Sequence, residues 1–166
     1  MRKLSVVVPV LFVVAAACSS STTEEGDVSS SIGNTDQELK GCRGKASYVI
    51  PSSGTYYVTT FGSSSSDDGI MSCGTYTKHG SWYYAASRQR YGCGSRIKIE
   101  ANGKCVVAKT DDYGPDVCVE NAVGGPILDV SPLVTKELFG LKGVGWSDRI
   151  KVHVTKVPLS TPLGPC

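Results

Sequence analysis

Two aspartates with seventeen residues between them, Asp111 and Asp129, are the side chains of this chain best suited to acid and base work. Breaking a glycosidic bond takes a proton donor at the leaving oxygen, and an inverting reaction also takes a carboxylate that activates water from the far side. Asp129 stands in the apolar run Ile127 to Val130, where loss of solvent raises a carboxyl pKa and keeps a proton available, so it is the expected acid. Asp111 and its neighbour Asp112 fall in the polar stretch TDDYGP and are expected in a turn, charged, as base or hydrogen-bond acceptor. A lytic reaction, in which a substrate hydroxyl replaces water, needs only one of them. The structural alternatives are plain: Asp129 can accept N–H groups at the start of a following helix, and Asp111 can cap an Asx turn.

Other side chains qualify as binding groups. Sugar rings have apolar faces that stack on aromatics, which makes Tyr113, two positions after Asp111, the first candidate and Trp82 the second. Trp146 is expected in the core. His79, in a polar loop after the run SCGTYT, is more simply a solvated loop residue, and His153 is expected to face the same way as Lys151 on an edge-like strand. Six cysteines follow Cys18 (Cys42, Cys73, Cys93, Cys105, Cys118 and Cys166), an even set that reads as disulfides in an exported chain while leaving the pairing open. No spacing among them is C-x-x-C, so neither a metal nor any other cofactor is expected.

These residues need a scaffold, and the chain supplies one after an N-terminal leader. Arg2 and Lys3, the apolar stretch Leu4 to Val14 and the small residues Ala15 to Ala17 form a signal over residues 1–17. The small residues stop at Cys18, as in bacterial lipoprotein signals, so Cys18 is the expected lipidation site and a membrane the expected partner through that anchor. Residues 19–39, rich in Ser, Thr and acids, read as a disordered tether. Without Arg2 and Lys3 the charges balance at 15 each, and five of the acids precede Lys40, so the rest carries 15 bases and 10 acids. That mild excess suits an anionic wall polymer and falls well short of a nucleic-acid footprint, so no nucleic-acid partner is expected.

One domain is expected over residues 40–166. Strands are predicted around Ala46 to Ile50, over Thr55 to Phe61, and at Ser72 to Thr77, the last opening the compact part. Ile97 and Ile99 alternate with charged residues, Asn102-Gly103 supplies a type I′ turn, and Cys105 to Ala108 pairs back. Ile127 to Val130 is a short strand, and Ser131-Pro132 starts a helix that Gly140 ends. Arg149 to Val157 alternates as a closing strand. Many short strands with one small helix indicate a compact, mainly β barrel.

The order TYT, CG with an alternating strand, an NG turn, TD-x-Y, then LD-x-SP before a short helix resembles the double-psi β-barrel domains. These include the first domain of bacterial expansins, rare lipoprotein A, barwin-like proteins and family 45 endoglucanases. The resemblance covers about Ser72 to Val157, so the barrel core is expected over 72–157. It implies a six-stranded barrel with one or two short helices, and a groove with its threonine at Thr75, its first aspartate at Asp111, its tyrosine at Tyr113 and its essential aspartate at Asp129. Two departures stand out: the segment between the aspartates is longer and contains Cys118, and Ser87 follows Ala85-Ala86 where the rare lipoprotein A group places a histidine.

The leading expectation is an exported protein that binds and loosens cell-wall polysaccharide, peptidoglycan or cellulose-like, without hydrolysis. The enzymatic alternative is a lytic transglycosylase or endoglucanase with Asp129 as acid. The third is a barwin-like or inhibitor-type module that binds a protein.

Overall fold

The computed structural model describes residues 44–62, 69–77 and 83–166. The leader, Cys18, the tether, Cys42, His79 and Trp82 lie outside them. The elements are β1 (Thr55–Thr60), β2 (Tyr84–Ala86), α1 (Arg88–Tyr91), β3 (Arg96–Ala101), β4 (Lys104–Asp112), α2 (Val117–Val123), β5 (Ile127–Val130), α3 (Pro132–Phe139), a 3-10 turn (Trp146–Asp148), β6 (Lys151–Val157) and β7 (Gly164–Pro165).

Neighbouring strands run in the order β2, β5, β1, β6, β3, β4, and β4 pairs back onto β2, which closes a six-stranded barrel; β7 adds to the outer part of β4. Two pairs are parallel, β1 with β5 and β2 with β4, and the rest are antiparallel. This is the expected double-psi barrel. Local chemistry explains each strand: β1 is a run of aromatic and β-branched residues. The β3–β4 hairpin turns at Asn102 and Gly103, whose φ values of 53° and 72° are those of a type I′ turn.

Alternate residues point inward. Tyr56 and Val58, Ile97 and Ile99, Val106 and Ala108, Leu128 and Val130, and Val152 and Val154 fill the interior together with Ala85. Helix α3 covers one end with Val134 and Leu138; it begins at Ser131, whose hydroxyl accepts the Val134 N–H, and ends at Gly140 with φ 72°. The disulfide Cys73–Cys93 ties the turn around Cys73 to the connection between α1 and β3, Cys105–Cys166 ties the last residue to β4, Cys118 is disulfide-bonded too, and each staple contributes roughly 2 to 4 kcal/mol.

At the other end the hydroxyls of Tyr56 and Tyr91 meet at 2.7 Å. Burial pushes both phenols above their ordinary range, and on Tyr56 the Tyr91 hydroxyl adds to the effect. A group raised in the folded state stabilises the fold fully below its unfolded pKa of about 10, and that contribution is lost as pH rises beyond it. Thermal midpoints at pH 8 and pH 11 are thus expected to differ widely in the parent protein and less in Tyr56→Phe; an unchanged difference would show that the pair does not set alkaline stability.

The structure corrects several expectations. The run Ser72 to Thr77 is a turn closed by an Ile70–Tyr76 bridge, because the Ser72 and Cys73 N–H groups go to Asp112 and Asp111 and those of Gly74 and Thr77 turn back to Met71 and Gly69; the barrel opens earlier, at β1. Ala46 to Ile50 forms no strand and only Ala46 bridges, to Asp116. Asp111 lies not in a turn but in β4, which runs on to Asp112. Trp146 is 45 % exposed, outside the core, in a 3-10 turn too short to fold over it. His153 is exposed on β6, an interior strand between β1 and β3.

Candidate functional site

Strand alternation and register bring the two aspartates onto one wall of the barrel. On β5, Leu128 and Val130 point inward, so Asp129 points outward. Its neighbour on β1 is Thr59, and its neighbour on β2 is Ala86. Beyond Ala86 comes β4, where the register slips: Ala85 pairs with Thr110 but Ala86 pairs with Asp112, leaving Asp111 as the extra residue of a bulge. Bulges re-aim side chains next to functional sites. The outer wall therefore carries a row across four strands, Thr59, Asp129, Ala86 and the Asp111–Asp112 pair, with the small methyl of Ala86 between the carboxylates.

Asp111 is held from two directions. Thr75 Oγ1 donates to its Oδ1 at 3.4 Å, and the Lys109 ammonium, two residues back on the same strand face, is 3.0 Å from Oδ2. The Lys109 contact is an ion pair without the alignment of a hydrogen bond, since Oδ2 has no hydrogen-bond donor among the described residues. Above it, the Cys73 N–H donates to the Asp111 carbonyl at 2.9 Å, and the Ser72 N–H to Asp112 Oδ1 at 2.8 Å. The Cys73–Cys93 disulfide ties this flap down. Asp111 is accordingly 2 % exposed, and Asp129 7 %. The charged turn carboxylate expected at Asp111 is instead a buried, ion-paired strand residue.

The remaining expected groups divide. Thr75 is hydrogen-bonded to Asp111. Tyr113 is near but occupied: its hydroxyl accepts the Ala46 N–H at 2.8 Å, and the Arg88 guanidinium lies 5.4 Å from its ring centre, so it fastens residues 45–46 to the barrel. On the flap, residues 69–77, Tyr76, next in chain to Thr75, and Ile70, bridged to Tyr76, are the exposed apolar side chains. Thr59, Ala86 and Lys109 escaped the sequence reading. The parity of Thr55, Tyr57 and Thr59 against Tyr56 and Val58 marks Thr59 as outward, and Lys109 shares a strand face with Asp111, but only the register shows which strands become neighbours. Among the described residues no group of three His, Cys, Asp or Glu side chains could hold a metal ion.

Behind the wall, a buried ion pair sets where β5 begins. Arg90 of α1 meets Glu120 of α2 at 2.8 Å, and the second Glu120 oxygen accepts the Ile127 N–H at 2.8 Å. Arg90 Nε also donates to the Val49 carbonyl at 2.9 Å.

Comparison with known proteins adds a family. The family model of Lysozyme A matches residues 46–166. Two proteins of Dictyostelium discoideum named Lysozyme A and Lysozyme B are 38 % and 36 % identical to this chain over 129 residues, covering 76 % of this chain and 68 % of each relative. A crystal structure of cerato-platanin 3 from M. perniciosa aligns with a TM-score of 0.45 at 16 % identity, over 64 % of this chain and 96 % of that one.

Proposed function

The chain belongs to the Lysozyme A family, and from that premise we propose that it cleaves the glycan of bacterial cell walls, with Asp129 as proton donor and Asp111 as the second carboxylate. The observation that carries the reading is the outward row in which Ala86 alone separates the strands bearing them. Adjacent strands lie about 4.8 Å apart, so β4 and β5 are roughly 9 to 10 Å apart across β2. Carboxyl groups about 5 to 5.5 Å apart suit a retaining reaction and roughly 6.5 to 9.5 Å an inverting one, which leaves room for water. The spacing favours inversion. Asp129, between Leu128 and Val130 on β5 and 7 % exposed, takes the role of acid in this reading. Asp111, beside the Lys109 ammonium, suits the base that accepts a proton from water.

Export is part of the same proposal: the leader and Cys18 would place the domain outside the cytoplasm on a lipid anchor, where disulfides persist. A second reading, the expansin-like binding and loosening of wall polysaccharide without cleavage, is favoured by the engagement of Asp111 with Thr75 and Lys109.

The test is to incubate the exported full chain with purified peptidoglycan and, separately, with cellulose, and to weigh the soluble products. Muropeptides with hydrated reducing ends, released from peptidoglycan with inverted configuration by NMR, are the expected outcome. Anhydro ends would move the mechanism to lytic chemistry, and retention without products to the binding reading. If neither polymer is retained or cut, the glycan assignment fails.

A further inference from the structure

We propose that Thr59 is a positioning residue for Asp129, its buried hydroxyl being kept to orient that carboxyl group. This rests on Asp129 being the working acid of the site.

The argument begins with register. Thr59 and Asp129 are partners in the parallel β1–β5 pair, and paired residues send their side chains to the same side of a sheet, with strands about 4.8 Å apart. Thr59 is fully buried, and its Oγ1 has no hydrogen-bond partner among the described residues. A buried hydroxyl without a partner is a cost, and valine, of nearly the same shape, would avoid it. The adjacent threonine shows what a structural hydroxyl does here: Thr60 Oγ1 accepts the Val144 N–H at 2.8 Å and pins the loop before the 3-10 turn. Thr59 has no such duty. On the far flank of the row, Thr75 already pairs a hydroxyl with Asp111. A rotation of the Thr59 side chain about χ1, beyond the rotation of its hydroxyl proton, turns Oγ1 toward the neighbouring strand and lets Thr59 donate to the Asp129 carboxylate once it has given up its proton. Such a bond favours the charged form, which is the form left after proton donation.

Thr59→Val is the decisive variant, because a hydroxyl that only burdens the core would be better replaced. The variant is expected to unfold at a temperature equal to or above that of the parent protein. Its kcat on peptidoglycan is expected to fall about tenfold, the size of one lost hydrogen bond to a charged group, with KM little changed. Thr59→Ser is expected to restore most of the rate. Should Thr59→Val not fold, Thr59→Ala against Thr59→Ser at matched stability makes the same comparison.

A second measurement does not depend on turnover. Titration of the Asp129 carboxyl by 13C NMR is expected to show its midpoint higher in Thr59→Val than in the parent, since the donor to the charged form is gone. The other titratable groups around that wall, Tyr57 on β1, Tyr84 on β2, Lys109, Asp111 and Asp112 on β4, and Glu120 on α2, are the same in both proteins. Unchanged kcat and an unchanged midpoint in Thr59→Val overturn the proposal. A parent protein that cuts no wall glycan overturns the glycan assignment instead, and the titration still decides whether Thr59 acts on Asp129.

Discussion

Asp129→Asn is expected to slow release of soluble fragments from peptidoglycan by about 100- to 10,000-fold, the range that a positioned general acid contributes. Asparagine keeps the shape of the side chain in a wall where Asp129 is 7 % exposed and packed between Thr59 and Ala86, but it has no proton to give to a leaving oxygen. Loss of rate should therefore come with a thermal midpoint close to that of the parent. Binding to the insoluble wall should persist, because Thr75, Lys109 and the flap over Asp111 are untouched. Initial rates and unfolding curves on the same preparations check this. A variant that retains more than about a tenth of the rate removes Asp129 from the chemistry; one that loses rate and stability together assigns it to the scaffold.

The second large effect concerns the Arg90–Glu120 pair. Arg90→Ala is expected to cost about 3 to 5 kcal/mol in urea unfolding, because it strands the Glu120 carboxylate in a site where the two side chains are 3 % and 7 % exposed. The guanidinium also holds the Val49 carbonyl and lies 5.4 Å from the centre of the Tyr56 ring, so its removal loosens residues before β1 as well. Replacing both partners by apolar residues, Arg90→Met with Glu120→Leu, should recover much of the loss, since no charge is then left unpaired, although the Ile127 N–H loses its acceptor. An Arg90→Ala protein within about 1 kcal/mol of the parent would show that solvent reaches Glu120. The pair also bears on function: Glu120 fixes the first residue of β5, and Asp129 follows two positions later.

Local chemistry was sufficient for the parts of this fold that short stretches of chain decide by themselves. Asn102-Gly103 takes up positive φ whatever surrounds it, Ser131-Pro132 starts a helix, Gly140 ends it, and the alternation of Val152 and Val154 with charged residues makes a half-buried strand. The resemblance carried this to a closed six-stranded barrel. It did not reach the flap: SCGTYT has the composition of a strand, yet its first two N–H groups, those of Ser72 and Cys73, serve Asp112 and Asp111, a choice available only after β4 is in place.

Residue type alone put Asp129 in a short apolar strand just before a helix start and gathered polar groups near Asp111. Tertiary structure decided everything that depends on which strands touch. Parallel pairing of β1 with β5 set Thr59 beside Asp129, and insertion of β2 put Ala86 between Asp129 and the Asp111–Asp112 bulge of β4. Segments far apart in sequence become neighbours through closure of the whole barrel, and no local pattern encodes the register in which they meet.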